Sequence, residues 1–298
     1  MKYSWIFLIV IYGTFKGLRE VLKKKSMEKH SVIEVLFFYT LFAFFMTIPF
    51  SINQGIFDLS LKYHVAIIIK SFVIFVAWLC ALNSIKRLPL SIYCVLDMGR
   101  MVFSIILGVI FLGEAIGALQ GFGMAFVLLG VTLVNFSSKK GKNNGKSATL
   151  KVLLLVLASC ILNAVSGVMD KFLLSTAPNR WIFGTEVLTP TQMQFWYMLY
   201  LTEFYLVYIL IRREKINVRS CIKSPSIWVL STLFIIADKC LFIANSNPNS
   251  QVVIMTLIKQ CSILISIALG RIIYKEKDLF YRLCCAIIII SGIIISVL

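Results

Sequence analysis

Apolar runs of about 20 residues recur along the whole chain, and each is long enough to cross a hydrocarbon core of roughly 30 Å as a helix. Short polar segments separate these runs, and no stretch remains for a soluble domain. The pattern predicts an all-α membrane protein of about ten transmembrane helices. Their expected ranges are about 3–22, 32–52, 64–85, 89–112, 119–136, 150–174, 190–211, 227–245, 252–274 and 279–298.

Composition and charge agree with a membrane location. Of the 298 residues, 59% are hydrophobic and 14% are charged, whereas soluble domains carry about 25% charged residues. The formal net charge is +17, and most of the basic residues lie between the apolar runs. We therefore expect lipid headgroups and the membrane potential as their partners, and no nucleic acid.

Eight cysteines raise the question of a metal or redox role. Seven of them lie inside apolar runs, and only Cys221 lies in a basic loop. There is no C-x-x-C, and only His30 and His64 could supply imidazole. Small buried hydrophobic residues are the favoured interpretation, so we expect no metal site and no cofactor.

The second half of the sequence repeats the first. At one offset of 162 residues the same residue types recur, namely Asn83 and Asn245, Ser84 and Ser246, Gly108 and Gly270, Glu114 and Glu276, and Gly130 and Gly292. Earlier in the halves, EVLFFYTL from Glu34 aligns with QMQFWYML from Gln192 at an offset of 158. Chance alignment of low-complexity apolar segments is the alternative.

The repeat predicts three parts of the chain. Residues 1–136 form the first five-helix repeat, 137–149 form a basic linker and 150–298 form the second repeat. The linker is rich in glycine, lysine and asparagine, a composition that neither packs nor inserts into a membrane. Because each repeat contains an odd number of helices, the two copies must insert with opposite orientation, as in secondary transporters.

One run of sequence resembles a known family. LGVIFLGEAIGALQGFGMAFVLLGVTLV from Leu107 contains a helix that ends in Gly-Glu and a glycine-bearing helix that follows. It resembles the end of an EamA-type unit of the drug/metabolite transporter superfamily, and LGRIIYKEKDLFYRLCCAIIIISGIIIS from Leu269 is similar to a degraded second copy. The resemblance implies ten helices around a central cavity, with the fifth and tenth peripheral, and movement of small polar metabolites, amino acids or drugs.

The chain departs from the family pattern in two places. The proline that commonly kinks the fourth helix is missing, with Met101 and Ile263 at the equivalent positions. The arginine often found in the second helix is also absent. The resemblance therefore does not identify a substrate.

Two alternatives exist for the charges of the predicted fourth helix. Asp97 and Arg100 are three residues apart, share a helix face and could pair with each other. The repeat instead matches Asp97 with Lys259, which would place the two at equal depth on symmetry-related helices as a gate or a divided substrate site. Either way, an ionisable residue at membrane depth is a candidate functional residue.

Other candidates for substrate binding or gating share a position in the predicted lining helices: Glu203, Asp238, Lys239, Lys70, Trp78, Tyr39 and Tyr197. Adjacent residues point to different faces of a helix, so Asp238 and Lys239 should have different surroundings. Stacking or cation–π contact with substrate is an alternative to core packing for the aromatic residues, and packing is favoured.

Several residues are expected to have ordinary structural roles. Snorkelling to the membrane interface is the alternative to a site role for Lys70, and charges nearer helix ends should be solvated, namely Lys16, Glu34, Asp170 and Lys171. Gly117-x-x-x-Gly121 has the small-x-x-x-small spacing of a close helix contact.

Loop charge predicts the orientation. Most loop lysines and arginines lie on one side of the predicted bundle, and the other side has only Lys2, Lys62, Lys171 and Arg180. This asymmetry predicts cytoplasmic basic loops and both termini outside the cell, in the plasma membrane. The family resemblance implies the opposite, with both termini inside.

We expect a secondary transporter that moves a small polar metabolite, with an amino acid or similar zwitterion favoured, by alternating access around a midplane site. Protons are a candidate coupling ion, and a monomer and a homodimer both fit the sequence. A flippase for a lipid-linked head group and a non-transporting membrane scaffold are the alternatives. An enzyme is not expected, because H-E-x-x-H, G-x-S-x-G and paired-histidine constellations are absent from the sequence.

Overall fold

The computed structural model describes residues 4–52, 55–87, 97, 99–139, 150–176, 186–262, 265 and 279–297. Every regular element in these ranges is helical, which confirms the all-α prediction. The helices are α1 Ser4–Met27, α2 Val32–Ser51, α3 Leu61–Arg87, α4 Gly99–Leu112, α5 Ala118–Lys139, α6 Leu150–Leu174, α7 Pro190–Arg212, α8 Val218–Ile222, α9 Pro225–Ser246, α10 Val252–Ile258 and α11 Leu279–Val297. Most of the linker, the start of the predicted fourth helix and the later part of the predicted ninth helix, apart from Ile265, lie outside the described residues.

Five of the described helices are long and apolar enough to cross a membrane: α2, α3, α6, α7 and α9. Shorter apolar helical stretches occur at Gly99–Leu112, Ala118–Gly130 and Ile287–Ser296. Helix α1 has a sufficient length of 24 residues, but its second half carries Lys16, Arg19, Glu20 and Lys23. This chain is therefore a multi-pass membrane protein, and the opposite orientation of its halves remains a prediction.

The same capping arrangement begins α2 and α7. Ser31 accepts a hydrogen bond from the backbone N–H of Glu34, whose carboxylate accepts one from the Ser31 N–H. Thr189 and Gln192 make the equivalent pair of hydrogen bonds at the start of α7. A capping box satisfies two backbone donors that the first helical turn leaves unpaired. These are the positions that the sequence repeat aligns at an offset of 158 residues.

Helices from the two predicted repeats pack against each other through most of the molecule. The pairs are α1 with α9, α3 with α6 and α2 with α7. The largest core cluster joins α2, α3, α6, α7 and α9 through buried side chains that include Tyr39, Ile67, Tyr205, Phe234 and Phe242. In the centre of the bundle, helices of the first half thus pack against helices of the second half.

Helices α5 and α11 form most of their contacts with each other. Gly123 and Gly292 lie at this contact, where a Cβ on Gly123 would be 2.6 Å from the Gly292 carbonyl oxygen. The sequence predicts a close contact at other glycines, but a Cβ on Gly117 or Gly121 would meet no atom of the described residues within 4 Å. The small-x-x-x-small spacing is present, but in the described part of the molecule no helix packs closely on these two glycines.

Candidate functional site

Two buried ion pairs lie at the centre of the helix bundle. Arg19 of α1 is 3.5 Å from Asp238 of α9, and their side chains are 6% and 9% exposed. Lys70 of α3 is 3.0 Å from Asp170 of α6, with side chains 2% and 7% exposed. In each pair the cation comes from residues 1–136 and the carboxylate from residues 150–298. The two halves of the chain are therefore joined through opposite charges.

Aromatic rings surround these charges. The Lys70 ammonium lies 3.6 Å from the centroid of the Tyr197 ring, and the Arg19 guanidinium lies 5.0 Å from that of Phe234. Both distances are within the range of cation–π attraction, which is strongest where water is excluded. Tyr39 stacks on Trp78 with ring centroids 5.6 Å apart. The aromatic candidates thus form the walls around the central charges.

Some polar atoms in this region lack a hydrogen-bond partner among the described residues. The Tyr39 hydroxyl and the Arg19 Nε are both buried without such a partner, and Tyr39 is only 1% exposed. The Asn245 side-chain oxygen, on the same helix as Asp238, is also buried without a donor. An unsatisfied buried polar group costs roughly 1–3 kcal/mol, so such groups indicate a place where a polar ligand would gain affinity.

Asp97 pairs with Arg100, not with Lys259. The Arg100 guanidinium donates to the Asp97 carboxylate at 3.1 Å within the same helical region. Among the described residues Lys259 makes no salt bridge, and its ammonium lies 5.3 Å from the centroid of the Tyr12 ring. The structure thus favours the local alternative for Asp97 and places Lys259 beside Tyr12.

The expectation that Lys70, Asp170 and Lys171 are solvated or snorkelling is wrong. Lys70 is 2%, Asp170 5% and Lys171 2% exposed. The Lys171 ammonium donates hydrogen bonds to the carbonyls of Asn245 and Asn247 and to the Ser250 hydroxyl. Sequence position near a helix end did not predict solvation because other helices cover these ends.

The remaining predicted residues have other surroundings. Glu34 is buried rather than solvated, because its carboxylate accepts hydrogen bonds from the backbone N–H groups of Ser31 and Asn217. Lys239 donates to the Thr191 hydroxyl and points away from its neighbour Asp238, as expected for adjacent helical residues. Glu203 lies on an exposed part of α7 and is not part of the central cluster.

Sequence reasoning did not select Arg19, Asp170 or Tyr12 as site residues. A signal existed for α1, because Ile9, Tyr12, Lys16 and Arg19 follow one another at spacings of three and four residues and so share a face. Ile9 is fully buried, which shows that this face points inward. For Asp170 the decisive partner, Lys70, is 100 residues away in the sequence.

Glu114 connects the α4–α5 turn to the start of α10. Its two carboxylate oxygens accept hydrogen bonds from the backbone N–H groups of Val252 and Val253 at 2.6 and 2.9 Å. Burial raises the pKa of the Glu114 carboxyl above its ordinary value, although the two backbone donors oppose this shift. Gln120 also donates to Gln251 at the same junction. These hydrogen bonds join the α4–α5 junction of the first half to the start of α10 in the second half.

Two surface pockets lie elsewhere in the described part of the molecule. One is lined by the end of α2, the following turn and Phe195. The other is lined by Arg87, Lys151, Leu154 and Leu155, where α3 ends beside the start of α6. Potential metal ligands come together at a third place, formed by His30, Glu34 and Cys221. The central charges contact one another and line neither pocket.

Comparison with known proteins is consistent with this arrangement. Residues 3–136 match the model of the EamA-like transporter family. A comparison with curated proteins found no match. Among 28 similar chains of solved structures, one described only as "Crystal structure of protein" has a TM-score of 0.71 at 11% identity, and the similarity covers 99% of this chain and 96% of that one. At this identity the likeness concerns the fold alone. Through residues 3–136, a little less than half of its length, the chain is similar to the EamA-like transporter family.

Proposed function

We propose that this chain is a membrane transporter and that it moves a small zwitterionic metabolite, such as an amino acid, by alternating access around the buried charges Arg19, Lys70, Asp170 and Asp238. One observation carries the proposal: both ion pairs join a cation of the first half to a carboxylate of the second. A zwitterion offers both charges on one small molecule. Its carboxylate can take the place of an aspartate beside Arg19 or Lys70, and its ammonium can take the place of the cation.

The energetics of buried ion pairs support coupling between substrate and opening. Separating the halves without replacement would leave buried charges unpaired, at a cost of about 3–5 kcal/mol for each pair. A bound zwitterion offsets that cost, because each separated charge meets an opposite one on the substrate. The unsatisfied Tyr39 hydroxyl and Arg19 Nε would add hydrogen bonds to the bound molecule. Opening without substrate is thereby disfavoured.

The packing of the helices supports a movement of one half against the other. Helix pairs α1–α9, α3–α6 and α2–α7 each combine one helix of the first half with one of the second. A rocking motion would change the contacts at these three interfaces together, while the α5–α11 pair stays at the periphery. Transporters built from inverted repeats carry their substrate site at such an interface.

Transport by the purified protein in proteoliposomes tests this proposal. We expect uptake of zwitterionic amino acids, and at least tenfold less uptake of their amides and of the corresponding decarboxylated amines. Asp238→Asn and Asp170→Asn should abolish uptake, whereas Asp97→Asn should reduce it less because Asp97 pairs within its own helical region. Equal transport of zwitterions and singly charged analogues would contradict the proposal.

Proton coupling is a further part of the proposed mechanism. Asp238 is the best-placed acid among Asp97, Glu203 and Asp238, since it is buried and faces Arg19. Uptake by the wild type should rise when an inward proton gradient is imposed, and an unchanged rate would contradict proton coupling. Lys259→Ala should keep this response, because it removes a cation without removing an acid.

A second candidate function is supported by one pocket. Arg87 and Lys151 line the opening between α3 and α6, beside two leucines. A flippase for a lipid-linked head group would need such a lateral opening with basic residues. If Arg87→Ala and Lys151→Ala abolish movement of a fluorescent anionic lipid across vesicles while amino acid uptake is absent, the flippase becomes the better interpretation.

A further inference from the structure

Three side chains of the kinds that bind transition metals lie close together near the end of α1, the start of α2 and the short helix α8. His30 lies in the turn after α1, Glu34 in the first turn of α2 and Cys221 in α8. One ligand atom from each lies within 4.8 Å of the other two. The Cys221 Sγ and the His30 Nδ1 are 3.6 Å apart. In a tetrahedral zinc site, a sulfur and a nitrogen ligand lie roughly 3.5 Å apart, so this spacing already suits a shared ion.

Backbone contacts hold Glu34 and the helix of Cys221 in place. Each carboxylate oxygen of Glu34 accepts one backbone N–H, from Ser31 and from Asn217, both at 2.8 Å. A carboxylate oxygen has a second lone pair, so these hydrogen bonds orient the group and leave it able to coordinate. Asn217 also caps α8 by accepting from the Ser220 N–H, which fixes the helix that carries Cys221. Cys221 is fully buried.

We propose that His30, Glu34 and Cys221 form a binding site for a zinc-class divalent cation, with a water molecule as the fourth ligand. A thiolate, an imidazole and a carboxylate are ligands that Zn²⁺ accepts together, whereas Mg²⁺ and Ca²⁺ take oxygen ligands. The site lies apart from the central ion pairs and does not depend on the proposed substrate. It differs from the sequence expectation of no metal site, which rested on the absence of local metal-binding spacing.

The site would join the two halves of the chain at the end where the basic loops lie. His30 and Glu34 belong to residues 1–136, and Cys221 belongs to residues 150–298. An ion held by both halves stabilises the folded state, and this stabilisation grows with the ion concentration relative to its Kd. Metal binding should therefore raise the unfolding temperature of the intact protein.

Cobalt absorption of the purified full-length protein in detergent tests the site. Co²⁺ should bind with a stoichiometry of one, give a thiolate-to-cobalt charge-transfer band, and be displaced by Zn²⁺. Cys221→Ser should remove this band, and Cys284→Ser, at an exposed free cysteine, should retain it. No thiolate band in the wild type, or a band that persists in Cys221→Ser, would overturn the proposal.

A second variant keeps the test valid if Cys221→Ser does not fold. His30→Gln changes a side chain in a half-exposed turn and should lower the affinity for Co²⁺ by more than about tenfold. Zn²⁺ should raise the unfolding temperature of the wild type and of Cys284→Ser, but not that of His30→Gln. Unchanged affinity for Co²⁺ and an unchanged zinc response in His30→Gln would show that His30 is not a ligand and would overturn the proposed site.

Discussion

Asp238 and Arg19 form an ion pair that water hardly reaches. Asp238→Asn should lower the free energy of unfolding by about 3–5 kcal/mol, because it leaves the Arg19 guanidinium buried without a counter-charge. Denaturant unfolding in detergent measures this loss. The charge-swapped variant Arg19→Asp/Asp238→Arg should recover much of the stability and no uptake, since the substrate would meet reversed charges.

An exposed ion pair in the same chain provides the control. Lys62 and Glu186 are 3.5 Å apart, with side chains 42% and 69% exposed. Glu186→Gln should change the free energy of unfolding by no more than about 1 kcal/mol, because surface ion pairs contribute little. Equal losses for Asp238→Asn and Glu186→Gln would show that burial of the central pair has no energetic consequence.

Two substitutions of Tyr197 test whether its ring or its hydroxyl stabilises the contact with Lys70. Tyr197→Phe keeps the aromatic face under the ammonium and should leave stability and uptake close to those of the wild type. Tyr197→Leu removes that face and should cost about 2 kcal/mol of stability, the value expected for a desolvated cation–π contact. Thermal unfolding of both variants provides the comparison. If Phe is as harmful as Leu, the hydroxyl carries the contribution.

Sequence reasoning reached the residues of the site only in part. A spacing of three residues lets Asp97 and Arg100 pair on one helix face, so the sequence offers this pairing as one of two alternatives. The pairing of Lys70 with Asp170 depends on the packing of α3 against α6, which no local pattern encodes. The repeat pairs Lys259 with Asp97, yet the ammonium of Lys259 lies near the Tyr12 ring and Asp97 pairs with Arg100.

Substitutions of two glycines of α5 test its contact with α11. Gly123→Ala should destabilise the protein by about 1–3 kcal/mol, because the new methyl group would overlap the backbone of α11. Gly121→Ala, two residues earlier, points into open space and should be neutral or stabilise by up to about 1 kcal/mol through helix propensity. Unfolding temperatures of the two variants measure the difference. The opposite order would contradict the observed α5–α11 contact.

Helix positions were predicted better than helix contacts. The start of α6 at Leu150 and of α7 at Pro190 agree with the sequence, because hydrophobicity and capping residues are local signals. Helix α8, only five residues long, was not predicted, since a short polar helix has no hydrophobic periodicity. The choice of Gly117 and Gly121 as contact residues failed because spacing alone does not identify which face meets another helix.

The orientation of the whole molecule is a prediction that a reporter can test. Basic loops on one side predict cytoplasmic loops and an extracytoplasmic C-terminus. A C-terminal phosphatase fusion should therefore be active, and a C-terminal fluorescent protein that matures only in the cytoplasm should stay dark. A fluorescent C-terminus without phosphatase activity would reverse the orientation and agree with the family expectation.

At the same scale, the repeat was the most informative feature of the sequence. It predicted which helices correspond, and the capping boxes of α2 and α7 occur at positions that it aligns. It did not predict the central charges, because those charges differ between the halves. Arg19 and Lys70 have no charged equivalents in the second half at the offsets of 158 and 162 residues.

This difference between the halves has a consequence for how they can assemble. A dimer of two first halves would bury Arg19 and Lys70 without the aspartates that now face them, and a dimer of two second halves would bury Asp170 and Asp238 without those cations. Like charges repel strongly where water is excluded. Each half is therefore an obligate partner of the other, and coexpression of the separated halves should give a heterodimer while neither half alone forms a stable self-complex.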